Sequence, residues 1–233
     1  MHGWRRARLT ERTKQTATGR TLKLEVPQWP GHLPGQHVDI RLTAGDGYQA
    51  VRSYSLAAPS HADSIELGIQ AAPGGEVSPY LADDLPVGAE VEIKGPLGGW
   101  FVWTPQEPGP LLLIAGGSGI VPLMAMLRAR LTSASDEPCT LLYSARSLDE
   151  VWYATELDAA AHHVRVHRLY TRVTPSGSTR PAGRMTQSDL LDLPPSEESR
   201  CYICGPTRFV EHVSDLLLTT GYAPDQIRTE RFG

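Results

Sequence analysis

Leu111-Leu112-Leu113-Ile114-Ala115-Gly116-Gly117-Ser118-Gly119-Ile120-Val121-Pro122 is the stretch on which the fold turns. Its first five residues are apolar throughout, as a strand buried on both faces of a parallel sheet requires. Gly116, Gly117 and Gly119 then let the backbone turn sharply and approach a ligand closely, and a helix-length segment, Gly119–Leu131, follows. A helix opening after such a turn offers N–H groups and the positive end of its dipole to a phosphate. Pro122 suits the first helical turn, where a missing N–H costs nothing. The full G-x-G-x-x-G pattern is incomplete, because Pro122 stands at its third glycine. The competing reading is a tight strand–helix turn with no ligand.

Toward the C-terminus the alternation repeats: strand Thr140–Ser144, helix Glu150–Ala161, strand Val164–Tyr170, a short helix near Gln187–Leu193, strand Cys201–Cys204, helix Thr207–Thr220 and strand Ile227–Arg231. Strands alternating with helices predict a five-stranded parallel sheet with crossover helices on both faces, a Rossmann-like α/β domain. Toward the N-terminus the texture changes. Short β-prone stretches (Arg5–Thr13, Thr21–Val26, His37–Leu42, Val51–Ala57, Ile65–Gln70 and Glu90–Lys94) are separated by Pro- and Gly-rich turns, which predicts an antiparallel barrel or sandwich. One short helix is expected at Ser78–Leu85. Trp103–Pro110, with three prolines, is the natural linker, giving domains at 1–104 and 109–233.

Composition sets the frame. The 233 residues are 40% apolar and 21% charged, enough to bury a core in one large or two smaller domains. No apolar run reaches membrane-spanning length. A net charge of −4 argues against general nucleic-acid binding. The first twenty residues are locally basic, with Arg5, Arg6, Arg8, Arg12, Lys14 and Arg20 against only Glu11; this reads as a solvated strand face or as a docking rim for an acidic partner. The segment Met1–Arg6 lacks the apolar stretch of a secretion signal, and three cysteines cannot all pair, so a reducing cytoplasm is expected.

Further motifs carry chemistry in order along the chain. Arg52-Ser53-Tyr54-Ser55 places a cation and an aromatic ring on one strand face, with Ser55 opposite unless the strand bends. Gly74-Gly75-Glu76-Val77-Ser78 opens the barrel-half helix and offers a second anion site, although Ser78 also suits a plain N-cap. Cys204-Gly205-Pro206 lies at the C-terminal end of a parallel strand, where ligands bind in open α/β sheets. Glu230-Arg231-Phe232-Gly233 closes the sequence.

Taken singly these are weak. Their order, with Gly95-Pro96-Leu97-Gly98 between them, strongly resembles the ferredoxin–NADP reductase superfamily, and within it the reductase components of bacterial oxygenases without their iron–sulfur domain. The resemblance runs from Pro34-Gly35-Gln36 to the end of the sequence. It implies a six-stranded antiparallel Greek-key flavin-binding barrel followed by a nicotinamide-nucleotide domain. Carried over, Arg52 would bind the flavin pyrophosphate, Tyr54 would stack on or edge the ring, and Ser55 would sit near its N5. Gly75, Val77 and Ser78 would hold the pyrophosphate through backbone N–H groups. The strand containing Ile69 would contact the ribityl and phosphate region. Gly116, Gly117, Ser118, Gly119 and Pro122 would receive the nicotinamide nucleotide. Cys204 would lie by the nicotinamide C4, with Gly205 and Pro206 shaping the turn. Glu230 matches a family carboxylate near the flavin, and Phe232 the terminal aromatic that covers it. Ser55, Cys204 and Glu230 are thus the candidate catalytic residues.

Two tempting signals carry less. Cys201 and Cys204 have redox-motif spacing, but residues three apart on a strand face opposite ways, so Cys201 is read as core. His162, His163 and His167 read as a solvated face, not a metal site, and three cysteines cannot supply the four thiolates of a usual iron–sulfur centre.

The expected activity is an FAD-dependent NAD(P)H reductase passing electrons to a ferredoxin or another iron–sulfur or haem protein. A free flavin or ferric reductase, and a regulatory flavin-binding subunit without turnover, are the alternatives. At the end of the second Rossmann strand Ser144 and Arg146 precede any acid, a hydroxyl and a planar cation suited to a 2′-phosphate. Asp149 and Glu150 are read as first-turn helix residues, and Arg172 as a second cation after the third strand. NADPH is therefore expected over NADH, against the plain reading of Arg146 as a surface residue.

Overall fold

The computed structural model describes residues Gly3–Phe232; Met1, His2 and Gly233, which entered the reading of the two ends, lie outside the described residues. The chain divides into two compact units, Met1–Thr104 with Met124–Ala129, and Pro105–Leu123 with Arg130–Gly233.

In the first unit β1 (Arg5–Lys14), β2 (Gly19–Glu25), β3 (His37–Thr43), β4 (Gln49–Ser55), β5 (Ser64–Gln70) and β6 (Glu90–Leu97) form one antiparallel sheet in the order β4-β3-β6-β1-β2-β5. Period-two patterning selects its inner face. Ile65, Leu67 and Ile69 are buried on β5, while Glu66 and Gly68 between them are only partly so. Each such fully buried aliphatic side chain stabilises the fold by roughly 1.5–3 kcal/mol relative to exposure. The two ends of the sheet meet where Leu56 bridges to Leu67 and the Ala57 N–H donates to the Glu66 carbonyl at 2.7 Å, which makes the sheet a barrel.

Most of the arginines of the basic first segment find partners inside this unit. Arg6 and Arg8 meet Glu90 at 3.4 and 4.0 Å, Arg20 meets Asp83 at 2.8 Å, and Arg5 donates to the Gln28 carbonyl at 3.1 Å. Arg12 donates to the carbonyls of Leu81, Asp83 and Leu85. These partners favour the strand-face reading over the docking rim. Those three carbonyls also belong to the segment expected as a helix over Ser78–Leu85. The helix forms there, from Ser78 to Asp84, but its last five residues, Tyr80–Asp84, make a wide turn closed by the Leu85 N–H on the Tyr80 carbonyl at 2.7 Å. Pro86 prevents its continuation, because a residue before proline is driven out of the α region.

In the second unit β7 (Leu111–Gly116), β8 (Cys139–Ala145), β9 (Arg165–Tyr170), β10 (Arg200–Pro206) and β11 (Ile227–Phe232) form a parallel sheet in the order β11-β10-β7-β8-β9. The first strand of this unit, β7, is flanked by its second and its fourth, so the strand order reverses between β7 and β10. Ligands of open α/β sheets bind in the crevice outside the strand ends at that reversal. α1 (Ile120–Leu131) follows β7, α2 (Ala154–Ala160) follows β8 and α3 (Thr207–Thr219) follows β10. α3 packs Val210, Val213 and Leu217 on the face of Leu112, Ile114, Cys201 and Ile203. Leu113, Leu141, Tyr143 and Tyr202 are fully buried as well, so both faces of the sheet are covered.

The helix expected over Glu150–Ala161 is split. Leu148–Glu150 is a 3-10 turn, and Tyr153 then adopts a left-handed conformation (φ +55°) before α2 begins. Trp152 and Tyr153 are consecutive and both buried, and the Trp152 N–H donates to the Tyr143 hydroxyl at 3.2 Å. A continuous helix would turn adjacent side chains about 100° apart and expose one ring. Asp149 and Glu150 consequently lie in the 3-10 turn, not in the first turn of α2. The short helix expected near Gln187–Leu193 is a 3-10 turn over Gln187–Leu190. Among the described residues no helix is long and apolar enough to cross a membrane.

Candidate functional site

The barrel unit gathers its polar chemistry along β4, an end strand of the sheet order. Val38 faces Tyr54 and Ile40 faces Arg52 in the β3–β4 register. Directly opposed residues share a face, so Arg52 and Tyr54 stand on one side of β4. Tyr54 is half-buried against the barrel core, and burial pushes its hydroxyl up to about 12 although Arg52 opposes the shift. Arg52 is exposed, one guanidinium nitrogen resting 2.7 Å from the Val51 carbonyl. Ser55 does not join them. The register continues unbroken to the His37–Ser55 pair, so no bend brings the Ser55 side chain to the Arg52–Tyr54 face; it lies on the side where Ser53 donates to Asp39 at 2.6 Å.

Ile69 is fully buried in the barrel core, so only the backbone of β5 is available to a ligand there. Gly74 is left-handed (φ +70°), and the Ser78 hydroxyl accepts the Ala72 N–H at 3.0 Å. Ser78 thereby ties the loop back on itself and does not act as a simple N-cap. A side chain at Gly75 would crowd the Ala72 carbonyl at 3.2 Å, and Val77 anchors the loop with its side chain in the core. Apart from the exposed Glu76 side chain, what this loop presents is backbone.

Beyond Arg52 in the same alternation come Ala50 and Tyr48, which line a groove of about 680 Å³ together with Glu76, Val77 and Tyr80. Its floor is apolar, from Leu42, Ala50, Val77 and Leu85. Tyr48 and Tyr80 stand exposed, and the Tyr48 hydroxyl donates to Glu76 at 3.3 Å. Sequence reading missed both tyrosines. The alternation Tyr48, Ala50, Arg52, Tyr54 was the signal for the first; the second needs the wide turn that carries it.

In the second unit the three loop glycines are glycines for different reasons. Gly117 is left-handed (φ +58°) with open space around it, so its conformation demands glycine. At Gly119 an added Cβ would fall on the Cys204 carbonyl, so glycine is what lets the start of α1 rest on the end of β10. Gly116 is ordinary extended backbone (φ −117°), and a Cβ there would meet the ring of Phe209. Gly117 and Ser118 are partly exposed at the turn, and Pro122 is the third residue of α1. Phe209, in the first turn of α3, was not singled out by sequence. Its signal was its place three residues after Pro206.

The parallel register of β10 and β11 brings Cys204 and Glu230 together as partners. Burial first, and the Glu230 carboxylate second, push the Cys204 thiol far above its ordinary range. It is a neutral, buried group suited to van der Waals contact and unsuited to nucleophilic work. Gly205 is buried, Pro206 exposed, and Phe232, partner of Pro206, is 38% exposed at the end of β11. Cys139, Cys201 and Cys204 are all unpaired by disulfide and buried, as the strand argument for Cys201 requires.

At the ends of β8 and β9 the Arg172 N–H donates to the Arg146 carbonyl at 3.0 Å, and the Thr171 N–H to Ala145 at 2.9 Å. Two exposed arginines are thus carried on adjoining, mutually hydrogen-bonded backbone. Ser144 does not share their exposure. It is buried, with Gly116 and Leu169 as register partners, so its hydroxyl sits within the sheet.

An antiparallel barrel with a cation–aromatic edge and a parallel sheet with a glycine-lined reversal crevice define an oxidoreductase built for two dinucleotides. Family models agree: the oxidoreductase FAD-binding domain matches residues 6–102 and the oxidoreductase NAD-binding domain residues 113–215. The chain belongs to the ferredoxin–NADP reductase superfamily. It is 33% identical over 218 residues to the ferredoxin–NAD(P)(+) reductase component of the naphthalene 1,2-dioxygenase/salicylate 5-hydroxylase systems of a Ralstonia species, covering 91% of this chain and 64% of that one. Among solved structures it resembles the ferredoxin reductase in carbazole 1,9a-dioxygenase, with a TM-score of 0.86, 28% identity and coverage of 100% and 70%. The FAD/NAD-binding domain of nitric oxide dioxygenase from Vibrio cholerae matches with a TM-score of 0.83 and 25% identity over 100% of both chains. The chain spans 51–64% of the length of the curated relatives it matches.

Proposed function

We propose that this chain is an NAD(P)H-dependent flavoprotein reductase, working in the cytoplasm and delivering electrons to an iron–sulfur or haem protein such as a ferredoxin or an oxygenase component. Bound FAD supplies the step from two-electron hydride chemistry to single-electron delivery. The observation that carries the reading is the pairing, in one chain, of the Arg52–Tyr54 edge with the glycine crevice between β7 and β10. Arg52 neutralises the flavin pyrophosphate, backbone at Val77 and Ser78 donates to it, Gly75, whose own N–H is spent on the Ala72 carbonyl, shapes the turn that aims them, and Tyr54 supports the ring. Gly116, Gly117, Ser118, Gly119 and Gly205 admit the nicotinamide nucleotide, and Cys204 and Glu230 fix the surface against which its ring rests. The purified protein is expected to be yellow after dialysis and to bleach anaerobically with NADPH. A protein that keeps its flavin but bleaches with neither NADPH nor NADH is a regulatory subunit instead.

The tyrosine groove extends this reading. Its Ala50 and Tyr48 continue the strand face that carries Arg52, so the groove is where the adenosine of FAD would lie, with Tyr48 offering a ring face to the adenine. Tyr48→Ala is expected to weaken FAD roughly two- to tenfold, since one aromatic contact is worth ~0.5–1.5 kcal/mol, while leaving FMN unchanged. Equal loss of both flavins in fluorescence titrations would remove adenosine from the groove.

Nucleotide choice rests on Arg146 and Arg172. Two exposed guanidinium groups beside the ends of β8 and β9 favour a 2′-phosphate over a bare hydroxyl. Arg146→Ala is expected to raise the KM for NADPH by roughly 10- to 100-fold, the worth of one charged hydrogen-bonding contact, and to leave NADH nearly unchanged. A wild type that already prefers NADH overturns this choice.

A further inference from the structure

The first glycine of a strand–turn–helix nucleotide loop is ordinarily ascribed to the tightness of the turn. That account does not apply to Gly116. Its φ of −117° and ψ of 112° suit any residue, and Gly205 likewise lies outside the left-handed region. What each lacks is room. A Cβ at Gly116 would lie 2.7–2.9 Å from three carbons of the Phe209 ring, and a Cβ at Gly205 would lie 2.7 Å from the same ring and 3.2 Å from the Gly116 Cα. One phenyl ring therefore covers both strand ends on one face of the reversal crevice. Its position follows from the helix. Phe209 is the third residue of α3, and helical side chains lean back toward the N-terminus, here over the strand that feeds the helix. Val210 and Val213 hold that turn of α3 in the core.

We propose that Phe209 is a positioning residue for the nicotinamide nucleotide: its ring requires glycine at 116 and 205 and sets how closely the ends of β7 and β10 approach. This rests on the assignment of that crevice to the nucleotide. The ring takes no part in electron transfer. It keeps the shelf flush, so that the dinucleotide meets backbone at both strand ends.

The test is a mutant cycle on the full-length flavoprotein, read by calorimetric titration with NADP+ and by flavin content and melting temperature. Wild-type binding comes first; a wild type that binds neither NADP+ nor NAD+ overturns the crevice assignment and this proposal with it. Given wild-type binding, Phe209→Ala is expected to weaken NADP+ about tenfold at unchanged flavin content, and Gly116→Ala to weaken it at least as much. Combining the two should bring affinity back above that of Gly116→Ala alone, because the added methyl then occupies the space the ring has left. If Gly116 is glycine because the ligand touches it, the methyl still obstructs the ligand and the double variant is no better than the single. That result overturns the proposal, as does a Phe209→Ala protein that loses melting temperature but binds NADP+ as wild type does. Should Phe209→Ala not fold, Phe209→Leu in the same cycle asks the same question, with a smaller recovery expected.

Discussion

Arg52→Ala is expected to strip the flavin from a barrel that still folds. The Arg52 side chain is exposed and belongs to no packed cluster, so its loss leaves the Val38–Tyr54 and Ile40–Arg52 backbone pairs and the core beneath them in place. What disappears is a charge-assisted contact to phosphate, worth about 1.5–3 kcal/mol, or roughly 10- to 150-fold in affinity. Gel filtration of the variant should yield a colourless protein with the melting temperature of the flavin-free wild type once FAD is left out of the buffer. Stoichiometric flavin after that step would move the pyrophosphate away from β4. Colourless protein that has also lost its melting transition would show that Arg52 serves the barrel itself.

Gly119→Ala should have the larger effect on nucleotide use. The methyl has no direction in which to relax, because it would be directed onto the backbone carbonyl of Cys204 on β10, a strand paired on both sides. Either α1 lifts from the end of β10 or the β10 end shifts, and both displace the turn that carries Gly117 and Ser118. Backbone distortion of this kind commonly costs a protein 1–3 kcal/mol in stability. The effect on reduction by NADPH is expected to be greater, at least 100-fold, because displacement of a binding group by about 1 Å can alone cost that much. Flavin binding should survive, since its proposed ligands lie on β4 and the Gly74–Ser78 loop, none of which an added Cβ at Gly119 would meet. Stopped-flow reduction within tenfold of wild type would show that the start of α1 tolerates the shift and that the loop does not need this contact.

The two units were legible because their strands announce themselves locally. Leu111–Ala115 is apolar without interruption, which only a strand covered on both faces tolerates, whereas β5 alternates and so declares one buried face. The order of the short motifs was legible too, and with it the family. Less was legible where two distant elements compete for one side chain. The helix read over Glu150–Ala161 has helical periodicity, yet Trp152 and Tyr153 are both drawn inward and break it. Ile69 was correctly placed on a strand, but its side chain belongs to the core. Ser55 lies across the strand from the Arg52–Tyr54 pair, as strand alternation requires, whereas Ser144, whose hydroxyl the sequence offers to a 2′-phosphate, is buried in β8.

The sequence by itself determined the two folds, their order and the positions of the glycine turns, because strand period, helix period and turn chemistry act over a few neighbouring residues. Only the tertiary structure decided why each glycine is a glycine. Gly117 answers to its own backbone torsion, which is local. Gly119 answers to a carbonyl 85 positions away and Gly116 to a ring 93 positions away on α3, while Gly205 meets that same ring because α3 leans back over the strand that feeds it. A close approach between segments remote in sequence is settled by packing, and no spacing along the chain encodes it.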